Sequence, residues 1–129
     1  EDEMLPAACQ GSIGVQILSE NQELKNFLLP MNHEPTQILC NVERDVLKII
    51  KANCNSPIGV FAKREHDKIK LQCQIFNHEG DKIYSNIIED IFTNKNSLGE
   101  KMGNDIIAKL GQPLIDELEI LNNDFDYTP

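Results

Sequence analysis

At 129 residues, 40% hydrophobic and 26% charged, the chain is long enough for one domain with a real core and has the composition of a soluble globular protein. Twelve basic against 21 acidic residues leave a formal charge of −9, which excludes the basic stripe a nucleic-acid partner needs and argues against a polyanionic substrate held by these residues alone. No apolar run approaches a membrane span and no signal-peptide pattern opens the chain, so no membrane partner is expected. The opening Glu1-Asp2-Glu3-Met4, with no initiating methionine, reads as a piece of a longer or processed protein.

In chain order, Ile13, Val15 and Ile17 alternate as a strand does, and the polar Ser19-Glu20-Asn21-Gln22 opens a short helix with Leu24, Phe27 and Leu28 on one face. Pro30 ends it. One strand with one helix buries neither face, so this segment needs a partner. Pro35 suits the first turn of the main helix, whose stripe is Ile38, Val42, Val46, Ile49 and Ile50, widened by Leu39 and Leu47. Glu43, Arg44 and Asp45 are expected to face outward or toward a neighbouring domain, and Asn53 to close the helix as a left-handed residue.

From Pro57 the period changes. Ile58–Arg64, Ile69–Asn77 and Ile83–Ile91 read as strands separated by turns at residues 65–68 and 78–81, with Ile69, Leu71, Cys73 and Ile75 on the covered face. Lys63, Arg64, Lys68 and Lys70 read as solvated hairpin charges. The Ser97-x-x-Glu100 spacing predicts a capping box and a helix from Leu98, with Met102, Ile106, Ile107 and Leu110 buried and Gly111 as its stop. Gly99 and Gly103 inside that helix each cost about 1 kcal/mol relative to alanine, which points to close packing. A last short helix runs from Pro113 to Leu121 through Leu114, Leu118 and Leu121, and residues 122–129 read as a tail. The fold class is therefore α+β: a three-stranded antiparallel sheet with about three helices, plus an N-terminal strand–helix appendage.

Four cysteines stand at positions 9, 40, 54 and 73, with no Cys-x-x-Cys pair and with His33, His66 and His78 at no ligand spacing to them, so no metal site is predicted. Cys40 and Cys73 fit packed thiols, and a reducing, cytoplasmic setting follows. Cys54 differs, because it lies on a loop between the main helix and the first strand of the meander, held in place yet accessible. It reads either as a small packed turn residue or as a nucleophile. No histidine is placed by motif as a base for a small cysteine-dependent enzyme.

The stretch Leu5-Pro6-Ala7-Ala8-Cys9-Gln10-Gly11-Ser12-Ile13-Gly14-Val15 resembles the Leu-Pro-Ala-Val-Gly-Gln-Gly-Ala-Leu-Gly-Val/Ile segment of porphobilinogen deaminase, also called hydroxymethylbilane synthase. The resemblance continues in order: residues 32–36 resemble the segment before that family's third-domain helix, Val42-Glu43-Arg44 its Ala-Glu-Arg, residues 53–59 its Gly-Gly-Cys-x-Val-Pro-Ile/Val-Gly/Ala, and Leu98–Leu110 its Gly-Ile-x-x-Ala helix. Cys9 stands for a glycine, Gln16 for a common glutamate, and Asn53 for the glycine before the cysteine.

This resemblance implies an enzyme of three α/β domains that condenses porphobilinogen units head to tail into hydroxymethylbilane with release of ammonia, in tetrapyrrole and haem biosynthesis. It implies that Cys54 carries the dipyrromethane cofactor through a thioether, and that Gln10 and Gly11 lie along the active-site cleft. Residues 1–31 then correspond to the returning strand and helix of the first domain, and 32–129 to the cofactor-bearing third domain. The family's catalytic aspartate and substrate-binding arginines have no counterpart here, so the expected partners are the missing first and second domains, porphobilinogen and pyrrole-chain intermediates. The full-length enzyme is expected to be a monomer. The 129 residues alone are expected to be inactive, without the cofactor, and prone to self-association through the orphan strand and helix. The competing reading is a non-catalytic α+β binding or regulatory module in which Cys54 is a structural loop residue.

Overall fold

The computed structural model describes residues 4–53, 56–93 and 97–120. Its elements run α1 (Gln22–Leu28), a 3-10 turn (Leu29–Met31), α2 (Glu34–Ile49), β1 (Ile58–Glu65), β2 (Lys68–Phe76), β3 (Lys82–Ile91), α3 (Leu98–Leu110) and α4 (Gln112–Ile120). The strands form one antiparallel sheet in the order β1-β2-β3. Both α2 and α3 pack on one face of it and against each other, and α4 packs on α3. No described helix is long and apolar enough to cross a membrane.

Alternation sets the sheet's two faces. Ile69, Leu71, Cys73 and Ile75 of β2 point into the core with Val60 and Ala62 of β1 and Tyr84 of β3, while Lys70, Gln72 and Gln74 turn the other way. The first hairpin closes in two residues, His66 and Asp67, because Glu65 pairs with Lys68. His66 is at φ 59, the positive first position that a type II′ turn requires. The second hairpin is organised by Asn77, whose Oδ1 accepts the N–H of Glu79 at 3.0 Å and of Asp81 at 2.7 Å. Three basic hairpin residues have partners: Lys63 pairs with Glu65 at 2.8 Å, Lys68 with Glu89 at 3.5 Å, and the Arg64 guanidinium lies 4.2 Å from the centre of the Phe92 ring.

The stripe of α2 meets α3 and the sheet through Val42, Val46 and Ile50. Two glycines let α3 come this close. A Cβ on Gly99 would strike the Val42 carbonyl and lie 2.7 Å from the Cβ of Asp45, and one on Gly103 would lie 2.6 Å from Ile49. A hydrogen-bond cluster ties α3 to β3. Tyr84 donates its hydroxyl to Asp105 at 2.6 Å, and the same carboxylate accepts the amide of Asn86 at 2.9 Å and the ammonium of Lys109 at 2.8 Å.

Several expectations are corrected by this arrangement. Residues 12–18 form no strand, since nothing in the described structure offers them a ladder. Ile13 and Val15 are left in solvent, Ile13 being 96% exposed. Helix α1 forms, capped by Asn21, whose Oδ1 accepts from Leu24 N at 3.0 Å, but it buries no residue and, among the described elements, packs only with the 3-10 turn after it. Helix α2 is closed by Lys51 at φ 56, not by Asn53. Lys51 N donates to the Lys48 carbonyl at 3.3 Å and Ala52 N to that of Leu47 at 2.9 Å, the paired bonds of a Schellman motif. Helix α3 starts at Leu98 as expected, yet Ser97 makes no side-chain cap bond, so the capping box does not form. In α4 the buried contact is Ile115, with Leu114 half-buried. The side chain of Leu118, Leu121 and the tail at 122–129 lie outside what is described.

Glu43 is the largest correction. It turns inward and is 5% exposed, accepting the N–H of Ala62 on Oε1 at 2.7 Å and that of Cys9 on Oε2 at 2.5 Å. Val60, two residues before Ala62, donates to the carbonyl of Pro6 at 3.0 Å. The outer edge of β1 is thus covered by the N-terminal arm and by one side chain of α2, which removes an open pairing edge. Leu5 anchors the arm by lying over Gly59, where a Cβ would come within 2.8 Å of its own.

Candidate functional site

The junction between α2 and β1 is rigid on both sides. On the helix side the Schellman bonds fix Lys51 and Ala52, and Ala52 packs on the core. On the strand side Ile58 N donates to the Ser56 carbonyl at 2.8 Å. Between them, Asn53 and Ser56 are clipped by two hydrogen bonds. Ser56 N donates to the Asn53 carbonyl at 3.1 Å, and Asn53 N donates to Ser56 Oγ at 3.0 Å. Cys54 falls in the interval so closed, outside the described residues.

Beside the junction lies an apolar hollow lined by Ile50, Ala52, Pro57, Ile58, Ile75 and Ile115, with Ser56 at its rim. Lys48 and Lys51 stand exposed at the end of α2 on the approach to the loop, and Asn53 is exposed.

Gln10 and Gly11, the other two residues marked in the sequence, lie on a surface turn. Gln10 N donates to the Ala7 carbonyl at 3.2 Å, Ser12 N to that of Cys9 at 3.0 Å, and Gly11 is at φ 84. Both are exposed. The turn rests beside Cys40 of α2, ten residues before the C-cap Ile50, which is about 15 Å of helix rise. Where Cys54 lies relative to this turn falls outside the described residues.

Sequence reading missed the cluster that holds the turn in place. Cys9 Sγ donates to the Cys40 carbonyl at 3.6 Å, and Ser12 Oγ lies 3.1 Å from Cys40 Sγ. Burial first, then the neighbouring Cys40 thiol and the Glu43 carboxylate, push the Cys9 thiol up to about 12, with Arg44 acting in the opposite direction. Burial likewise raises Glu43 against the two N–H groups that favour its carboxylate. The signal available in the sequence was slight: an acidic residue at a position flanked by the apolar Val42 and Val46 of the buried stripe.

Comparison with known proteins supplies the family. Residues 37–110 match the family model described as porphobilinogen deaminase, C-terminal domain. That span runs from the first turn of α2 to the end of α3 and includes the Cys54 junction. The chloroplastic porphobilinogen deaminase of Oryza sativa subsp. japonica is 40% identical over 52 residues, covering 40% of this chain and 14% of that protein. Porphobilinogen deaminase of Sulfurovum sp. (strain NBC37-1) is 35% identical over 51 residues, covering 40% of this chain and 16% of that protein. The chloroplastic enzyme of Pisum sativum is 35% identical over 52 residues, covering 40% and 14% respectively. The matches therefore span about one-sixth or less of the relatives' own lengths. With more than half of its residues under the family model and the helix–loop–strand junction inside that match, the chain belongs to the porphobilinogen deaminase C-terminal domain family.

Proposed function

We propose that these residues are the cofactor-bearing part of a hydroxymethylbilane synthase, which condenses four porphobilinogen units into hydroxymethylbilane with release of ammonia, and that Cys54 tethers the dipyrromethane cofactor through a thioether. On this reading residues 32–129 are the third domain and residues 1–31 belong with the first. When bound, the group supplies a pyrrole primer with a free α-carbon. The protein's share is to hold the sulfur still. What supports the reading is the double clip between Asn53 and Ser56, which fixes the ends of the interval containing Cys54 at the junction of two packed elements.

A thiol is suited to the tether because its thiolate is a good nucleophile for the electrophilic methylene left when porphobilinogen loses its amine. Lys48 and Lys51, exposed at the end of α2, are the cations we assign to the acetate and propionate groups of the pyrroles. The exposed apolar side chains of residues 12–31, Phe27 at 74% among them, are a surface for the catalytic domains that supply the aspartate and arginines. Without those domains the same surface favours self-association, which sedimentation would read as a mass above 14.6 kDa.

The test is a chimaera in which residues 32–129 replace the matching domain of the Sulfurovum relative. Intact mass is expected to show two added pyrrole units and the protein to make hydroxymethylbilane. Cys54→Ser is expected to lose both while melting as a folded protein. The 129 residues alone are expected to show neither the added mass nor the product. Full turnover by the Cys54→Ser chimaera with no added mass would overturn the assignment.

A further inference from the structure

Cys9 combines three features that packing alone does not require. Its backbone is at φ 61, a left-handed conformation that costs a side-chain-bearing residue about 1 kcal/mol and that glycine adopts freely. It is held there by three contacts to one helix: its N–H on Glu43, its thiol on the Cys40 carbonyl, and Ser12, three residues on, against the Cys40 sulfur. The residue it faces is itself a cysteine. Cys9 and Cys40 are both free and half-buried, whereas Cys73 is fully enclosed in the core.

We infer that Cys9 and Cys40 form a dithiol site that closes to an intramolecular disulfide under a low-molecular-weight disulfide oxidant such as glutathione disulfide, stapling the N-terminal arm and its Gln10–Gly11 turn to α2. The inference is independent of what Cys54 carries. Cys40 as thiolate attacks the sulfur–sulfur bond of the oxidant and expels one glutathione thiolate. Cys9 then gives its proton to water and attacks the Cys40 sulfur, expelling the second glutathione. Two protein thiols are oxidised and one glutathione disulfide is reduced to two glutathione molecules. The Cys9 thiol is engaged on the Cys40 carbonyl at 3.6 Å and its burial opposes ionisation, which makes it the slower, resolving partner. The bond joins positions 31 residues apart in sequence, so it restrains an arm that otherwise depends on a few hydrogen bonds and Leu5.

The arrangement is testable on the chain as it stands. Cleavage after lysine and arginine places the four cysteines in separate peptides: 1–25, 26–44, 52–63 and 71–82. After titration with glutathione disulfide and alkylation of remaining thiols, the expected product is a monomer lighter by two hydrogen atoms, with peptides 1–25 and 26–44 linked. Its melting temperature should rise by several degrees, and the rise should vanish on reduction. Cys9→Gly, which suits the backbone conformation, and Cys40→Ala should each abolish the link while remaining folded. Stable glutathione adducts with no internal link, a link through Cys54 as the main product, disulfide dimers, or no reaction at excess oxidant would each overturn the inference.

Discussion

The carboxylate of Glu43 receives the backbone N–H of Cys9 at 2.5 Å, so a residue in the middle of α2 decides where the N-terminal arm lies. The same carboxylate satisfies Ala62 on the edge of β1 at 2.7 Å. Glu43→Ala leaves two backbone donors without partners and is expected to cost about 2–4 kcal/mol, since each buried unsatisfied group costs about 1–3 kcal/mol. Glu43→Gln keeps one acceptor oxygen and should lose about half as much. Denaturant midpoints measure both, and proteolysis within residues 5–12 should accelerate in the alanine variant well before global unfolding. Equal stability of the wild type and Glu43→Ala would show the arm to be held by other means.

Helix propensity and packing make opposite forecasts at Gly99 and Gly103. In an exposed helix interior, glycine to alanine gains about 1 kcal/mol. Here the new methyl group meets the Val42 carbonyl at Gly99 and Ile49 at Gly103. Overpacking of this kind costs about 1–3 kcal/mol, so both variants should be net destabilised, Gly99→Ala the more because backbone yields less than a side chain. A rise in melting temperature for either would place α3 farther from α2 than it stands.

Lys51 predicts a change of the other sign. It sits at φ 56 as the left-handed residue of the Schellman motif, with its side chain in solvent. Lys51→Gly should stabilise the chain by about 1 kcal/mol, because glycine carries no steric penalty there. Asn53→Gly should give no such gain, since Asn53 does not occupy that conformation. Thermal unfolding of the two variants side by side decides the matter.

The Asp105 cluster makes stability depend on acid. Lys109 first, and then the Tyr84 hydroxyl, hold the Asp105 carboxyl below its ordinary 3.8. A carboxyl depressed in the folded state contributes stability above its unfolded pKa and loses that contribution as pH falls through the folded one. The wild type should therefore lose stability on acidification below about pH 4, and Asp105→Asn should flatten that part of the profile. Tyr84→Phe should cost about 1 kcal/mol at neutral pH through one lost hydrogen bond, and it should reduce the acid sensitivity without abolishing it. Urea midpoints across pH measure each of these.

What the sequence determined by itself was everything governed by local period and punctuation. The alternation of Ile69, Leu71, Cys73 and Ile75, the turn residues at 65–68 and 78–81, the stripe of α2 and the stop at Gly111 all depend on neighbours within a few positions, and each formed where expected. The order of motifs around Cys54 was enough to point to the family. Tertiary structure alone decided the rest. Whether Glu43 faces water or the core depends on the free donors of Ala62 and Cys9, which lie 19 and 34 residues away in sequence. Whether Ile13, Val15 and Ile17 make a strand depends on a ladder partner, and the described residues provide none. The meeting of Cys9 with Cys40 follows from the arm's path around the β1 edge, which the Pro6 carbonyl, Glu43 and Leu5 fix together. Hydrogen-bond satisfaction and edge coverage are properties of the assembled chain, and no window of sequence contains both halves of either.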